Sequence, residues 1–243
     1  MDISTLTPEF LAGFHADLWL LSPACQPYTV LNPNAKGASD PRAQSFLHLI
    51  RHVLPQMRTV GAGPSYLLVE NVAGFEVRIT SGVVSSTTIY LILLKTSATR
   101  AVLCSTLQSF GYRTLELLLT PLQFGIPNSR LRYYLLAKLR PFHFQHEPSI
   151  YGQLLRSISS QRDDQGDTVA YTEEGTCADE IRHYLDDLYD EQQHRISDKV
   201  LEKWGRLFDI VLPSARRTCC FTRSKCLTGI QHISAHSQAI LGW

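Results

Sequence analysis

The sequence predicts an α/β protein: a mainly parallel, doubly wound sheet followed by a smaller lobe of mixed structure. Three observations lead there. Short apolar runs with strand character alternate with helical patterns through residues 1–140, and most of these runs stop at a turn or cap signal. From Pro141 that alternation gives way to polar, irregular sequence. Strands and helices in alternation pack most readily as an open sheet with helices on its faces.

Taken in order, Asp17, Leu18, Trp19, Leu20 and Leu21 read as a short buried strand that stops at Ser22-Pro23. Asp40-Pro41 is a helix start, a carboxylate N-cap followed by proline at the first helical position. Phe46, Leu47, Ile50, Val53 and Leu54 then fall on one helical face, and Pro55 is expected to end or kink that helix. After the loop Gly61 to Pro64, residues 66–69 form a second buried strand. Residues 98–110 form a helix capped by Ser97 and closed by Gly111. Residues 112–119 and 131–139 return as strands, the latter after the turn Ile126-Pro127-Asn128-Ser129. In the second lobe, residues 161–166 are an exposed loop, and helices are expected over 178–188 and 197–207.

A chain of 243 residues accommodates one large α/β domain, or a domain with a small appendage. With 44% hydrophobic and 19% charged residues, it is not disordered along its length. Lys+Arg of 23 against Asp+Glu of 22 gives a net charge of +1, which excludes adhesion to nucleic acid through a globally positive field but allows a local basic groove. The six cysteines are scattered rather than framed, and the N-terminus lacks the basic start and apolar core of a signal peptide. A reduced, intracellular setting, cytoplasm or nucleus, is expected. The longest apolar run, 83–94, is interrupted by Ser85, Ser86, Thr87 and Thr88. It is shorter than the roughly 20 residues a membrane span needs, so no membrane partner is expected.

In an open α/β sheet the working residues gather at the carboxyl ends of strands. Three groups occupy such positions. Cys25 lies between Pro23 and Pro27 just past the first strand, in a loop of restricted shape that could present a thiol to a cleft. A lone cysteine is more often a buried, inert one. Glu70-Asn71 follows the second apolar strand, and a partly desolvated carboxylate there could take part in proton chemistry. Taken alone, a structural carboxylate bonded to a loop amide is the better account of it. Arg130 and Arg132, at i and i+2 of a strand, share a face and could clamp a base edge, a phosphate or the cysteine loop. Alone, the pair also fits a solvated strand edge.

Together, and in this order, these groups resemble the motif series of the cytosine-C5 methyltransferases. Pro23, Cys25, Gln26 and Pro27 come first, then Glu70-Asn71-Val72, then the run from Gln123 to Arg132. The stretch from Thr120 to Lys138 and the late Cys220-Phe221-Thr222 are similar to the branch that methylates the anticodon loop of aspartate transfer RNA. The resemblance covers most of residues 1–223. It departs at Ala24, where many members carry a second proline; Pro23 and Pro27 remain on either side of the cysteine.

The resemblance implies a partial Rossmann-like methyltransferase sheet over 1–140, a mixed target-recognition lobe over 141–223 and an unrelated tail over 224–243. It implies S-adenosylmethionine as methyl donor and transfer RNA as partner, with DNA the less favoured substrate. Cys25 would add as thiolate to carbon 6 of cytosine, making carbon 5 an enamine-like nucleophile. Glu70 would hydrogen-bond the N3 and amino edge, and Arg130 and Arg132 would orient that assembly. Gln26, Asn71, Cys220, Phe221 and Thr222 would position the substrate, and Asp2 and Pro23 would touch the donor. The target base has to be flipped out or lie in a loop.

Two further expectations concern where the resemblance stops. The family's glycine-rich cofactor turn does not occur upstream of Cys25, so the chain reads as truncated at both ends, with an incomplete donor pocket. Residues 77–95 interrupt a connection that relatives make directly; they read as an insertion, the alternative being an extra β-hairpin. Their β-branched, weakly charged composition is an aggregation hazard. Cys219, Cys220, Cys226, His232 and His236 have the wrong spacing for zinc, and no metal is expected. The rival readings are a DNA cytosine methyltransferase and a non-catalytic RNA-binding fragment. A cysteine hydrolase would need a histidine base, and His15, His48 and His52 offer no recognisable pairing with Cys25.

Overall fold

The computed structural model describes residues 2–29, 36–81, 92–145, 152–158, 178–185 and 196–219, with the backbone alone at 77–81 and 92–96. Two compact units emerge, Met1–Leu118 with Arg132–Arg156, and Leu119–Leu131 with Ser157–Trp243. The second unit therefore takes a short piece from inside the region that the sequence assigns to the sheet.

The first unit is built on β1 (Leu18–Leu21), β2 (Tyr66–Val72), β7 (Arg132–Leu139), β5 (Tyr112–Leu119, its last residue in the second unit) and β8 (Leu154–Leu155). They lie in the order β1-β2-β7-β5-β8. β1 runs parallel to β2, and β5 parallel to β8, as a doubly wound sheet requires. β7 runs against β2, so the sheet is mixed. The connection from β5 to β7 explains this. A parallel return needs a crossover, usually a helix, whereas this link contains only the 3-10 turn Pro121–Phe124 and the short β6 (Asn128–Ser129).

Strand alternation puts Leu67, Val69 and Asn71 of β2 on the same buried face as Tyr133, Leu135 and Ala137 of β7, their register partners. Onto the same core pack Phe46, Leu47, Ile50, Val53, Leu54 and Met57. These come from one continuous helical stretch, α2 (Gln44–His48), a wide π turn at Leu49–Val53 and α3 (Leu54–Thr59). Asp40 caps its start, its carboxylate accepting from Arg42 N at 3.0 Å. Pro55 does not end the stretch. The π turn just ahead of it re-routes the hydrogen bonds, so the missing proline N–H and the ring are accommodated.

α4 (Ala98–Ser109) has the expected Ser97 cap and is followed by Gly111, whose φ of +82° lets the chain reverse into β5. Residues 77–81 and 92–96 pair as antiparallel strands, β3 (Val77–Ser81) and β4 (Ile92–Thr96), as the β-hairpin alternative expects of them; residues 82–91 lie outside the described residues. At its base Ser97 N donates to Glu76 O at 3.3 Å.

In the second unit β6 pairs in parallel with β9 (Thr218–Cys219). The helix expected over 197–207 is present as α5 (Asp198–Trp204), continued by the 3-10 turn Gly205–Leu207. The one expected over 178–188 is a correction: its described part is the 3-10 turn Ile181–Tyr184. There Ile181 N and Arg182 N donate to Ala215 O and Pro213 O, both at 2.9 Å, so these groups are committed to a neighbouring segment rather than to a helix. Residues 186–195, the expected loop at 161–166 and the tail over 224–243 lie outside the described residues. No helix among the described residues is long and apolar enough to cross a membrane.

Candidate active site

Because β1 and β2 are parallel, their carboxyl ends arrive together. Leu21 pairs with Val69, so the next residues, Ser22 and Glu70, stand side by side. Ser22 Oγ donates to Glu70 Oε2 at 2.6 Å, and Arg132 Nε lies 3.5 Å from Glu70 Oε1. Arg132 opens β7 opposite Val72, two residues from Glu70's own partner Tyr134. Arg132 and Glu70 therefore form a diagonal cross-strand pair on one face of the sheet. Asn71, the next residue, points to the opposite, buried face and is 1% exposed. Its Nδ2 donates to Pro23 O at 3.0 Å, while its Oδ1 accepts from Val72 N at 2.9 Å. Two consecutive residues of β2 thus hold two consecutive residues of the cysteine loop, from opposite faces.

The loop is also held beyond the cysteine. Cys25 O accepts from Tyr28 N at 2.9 Å and Thr29 N at 3.0 Å, and Pro27 O accepts from Gly37 N at 3.0 Å. Tyr28 is buried edge-to-face on Phe75, with centroids 4.8 Å apart, and its hydroxyl donates to Thr99 Oγ1 at 3.1 Å. The Cys25 thiol is free and half-buried, and Gln26 is exposed. Arg42 is clamped by both oxygens of Asp40.

Arg130 belongs to the second unit and sits outside any strand, so the expected i, i+2 strand pairing with Arg132 does not exist as such. Its backbone N donates to Thr120 Oγ1 at 3.1 Å. Thr120 N in turn donates to Gln123 Oε1 at 2.9 Å, a reciprocal cap that closes the turn. Asn128 Nδ2 donates to Thr218 Oγ1 and Cys219 O, tying this segment to β9. Cys220, Phe221 and Thr222 follow directly and lie outside the described residues.

Of the two positions given to the methyl donor, Asp2 uses its carboxylate to cap the turn Ile3–Thr5 through Ser4 N at 2.9 Å. Pro23 O is the acceptor for Asn71. Among the described residues no group of three or more His, Cys, Asp or Glu side chains is arranged to hold a metal; Cys220, Cys226, His232 and His236 lie outside them. A second polar cluster escaped the sequence altogether. Glu116, 2% exposed, accepts from Arg100 Nε and Nη2 at 2.6 and 2.8 Å and from the Tyr133 hydroxyl at 2.6 Å.

A profile of the C-5 cytosine-specific DNA methylases matches residues 1–219. The chain belongs to that family. It is similar to the tRNA (cytosine(38)-C(5))-methyltransferase of Schizosaccharomyces pombe, 36% identical over 242 residues, covering 99% of this chain and 60% of that protein. It is also similar to the DNA (cytosine-5)-methyltransferase of Dictyostelium discoideum, 31% identical over 244 residues, covering 91% of this chain and 59% of that protein. Among solved structures, the S. pombe Dnmt2 methyltransferase superposes with a TM-score of 0.60 at 32% identity, over 96% of this chain and 57% of that one. The Entamoeba histolytica methyltransferase EhMeth gives 0.64 at 28% identity, over 92% and 55%. This cytosine-C5 methylase chain therefore spans about 60% of the length of the curated relatives it matches. The partial Rossmann-like methyltransferase fold expected from the motifs is the fold found.

Proposed function

We propose that this chain carries the base-activating centre of a transfer-RNA cytosine-C5 methyltransferase, with Cys25 as nucleophile. The observation that carries the reading is the pairing of Ser22 with Glu70 and of Pro23 with Asn71, which sets the carboxylate beside the Cys25 loop that Asn71 holds. The Cys25 thiolate adds to carbon 6 of cytosine: an S–C6 bond forms, and the C5=C6 π pair moves onto carbon 5. Glu70 binds the N3 and amino edge, favouring N3 protonation as charge flows into the ring. Arg132 steadies that carboxylate, Arg130 orients the base, and Asn71 acts through the loop. Gln26, Cys220, Phe221 and Thr222 serve the target nucleotide.

S-adenosylmethionine is the methyl donor that the family implies. The residues assigned to it do not make a pocket for it by themselves. Asp2 already caps a turn with its carboxylate, and the Pro23 carbonyl is engaged by Asn71. Transfer RNA is preferred to DNA on the run from Thr120 to Lys138 and on relatives named for cytosine 38 of tRNA. The name of the Dictyostelium relative keeps DNA as the second reading. An RNA substrate fits an intracellular setting.

A donor-independent experiment tests this. Addition at carbon 6 makes carbon 5 exchange its hydrogen with water before the thiolate leaves again. The 243-residue chain is mixed with an anticodon stem-loop of aspartate tRNA tritiated at cytosine C5, or with duplex DNA so labelled. Tritium release from the RNA is expected, reduced at least ~10³-fold in Cys25→Ala, the scale on which loss of a nucleophile is felt. Release from DNA alone supports the second reading. No release from either by a folded chain leaves a non-catalytic fragment.

A further inference from the structure

We infer that Ser22 is a positioning residue for base activation, acting through Glu70; this rests on the function proposed above. The register of the two parallel strands brings Ser22 beside Glu70 at their common carboxyl end, where Ser22 Oγ donates to Oε2 at 2.6 Å. That is a short, charge-assisted hydrogen bond. Ser22 is solvent-exposed and Glu70 half-buried, so water could satisfy both groups, and the bond adds little to folding. Its consequence is directional. A carboxylate at the end of a glutamate side chain swings about a soft terminal torsion. Here one oxygen is taken by Ser22 and the other faces Arg132 Nε at 3.5 Å, which fixes the plane of the carboxylate.

Each carboxylate oxygen has about two lone-pair sites, so one donor per oxygen leaves one site on each. Those remaining sites share the fixed plane and can receive two parallel N–H groups. The N3–H and 4-amino groups of a cytosine protonated at N3 present such a pair. Ser22 thus selects, from the orientations open to Glu70, the one that accepts the charged base edge side-on. Asn71 holds the next loop residue by its backbone alone, so the two contacts divide the work. Asn71 places the loop, and Ser22 aims the carboxylate.

The test compares the wild-type chain with Ser22→Ala and Ser22→Thr in the carbon-5 tritium release from the anticodon stem-loop RNA. The alkylation rate of Cys25 by iodoacetamide, read by peptide mass, is followed beside it as a report on the loop. Ser22→Ala is expected to lower the release rate about 10-fold, the loss that goes with one hydrogen bond of ~1.4 kcal/mol. The Cys25 alkylation rate should stay within about 2-fold, and Ser22→Thr, which keeps the hydroxyl, should restore release to within about 3-fold of wild type. Unchanged release in Ser22→Ala overturns the inference and leaves the proposed function standing. A parallel fall in alkylation, or failure of Ser22→Thr to rescue, shows that the residue shapes the loop and also overturns it. Absence of release from the folded wild-type chain removes the proposed function and this inference with it.

Discussion

Glu116 sets the chemistry of its surroundings without belonging to the site. Four donors converge on one buried carboxylate, two from Arg100, one from Tyr133 and the Cys104 thiol. Burial first, and then the negative charge of Glu116, hold the Tyr133 phenol protonated far above its usual range. Removing that hydroxyl costs a hydrogen bond to a charged group, so Tyr133→Phe should lower unfolding free energy by roughly 1.5–3 kcal/mol in urea titrations. Cys104 sits against the same carboxylate at 3.9 Å, and burial together with that charge pushes its thiol up to about 12. At pH 8 it should resist iodoacetamide while half-buried Cys25 reacts; peptide mapping that found Cys104 modified as fast as Cys25 would contradict the packing. Asp40 shows the opposite shift. Hydrogen bonds from Arg42 lower its carboxyl from 3.8 to about 2. A carboxylate with a depressed native pKa stabilises the fold in full above pH 3.8 and loses that contribution as pH falls toward about 2. Acid unfolding of Asp40→Asn should therefore differ from wild type near neutrality and converge with it at the acid end of that window.

Secondary-structure elements were legible where one local signal decided them. The Asp40-Pro41 start, the Ser97 cap and the Gly111 stop each carry their own chemistry, and each is found. The 3-10 turn at Ile181–Tyr184 was not legible, because its backbone donors are claimed by Pro213 and Ala215, some thirty residues on. For the same reason β7's direction was hidden, since a strand's sequence does not state which way its neighbour runs. In the candidate site, Cys25 could be read from its place after β1, and Glu70 and Asn71 from the end of an apolar run, although β2 extends through both to Val72. Ser22 could not, because its role depends on the register between β1 and β2. The segment that carries β3 and β4 has its own prediction. Its ends meet, Ser97 N donating to Glu76 O at 3.3 Å, and residues 79–94 contain no charged side chain. Joining Glu76 to Ser97 in place of residues 77–96 should preserve the cooperative unfolding transition and lower aggregation in light scattering. Loss of cooperative unfolding would show that the hairpin belongs to the core.

For the whole molecule, the way the described groups are spent predicts that base activation is separate from methyl supply. Glu70, Arg132 and the Cys25 loop lie at the meeting of β1, β2 and β7, and the loop is tied at Pro23, Cys25 and Pro27. The groups proposed for the donor are not so arranged. Asp2 is exposed and caps its own turn, and Pro23 O accepts from Asn71 Nδ2. β1 stands at the end of the strand order with Leu18 and Leu20 50% and 67% exposed. A charged nucleoside donor needs a concave site that buries most of its surface. Calorimetric titration of S-adenosylmethionine into the 243-residue chain should accordingly give a dissociation constant weaker than ~1 mM, below the binding strength that such a pocket supplies. Tritium release from carbon 5 should then proceed without S-adenosylmethionine and be unmoved by adding it. Micromolar binding would overturn this division and mean that other residues of the chain complete the pocket; release that rises with the donor would mean that both halves of the reaction are carried here.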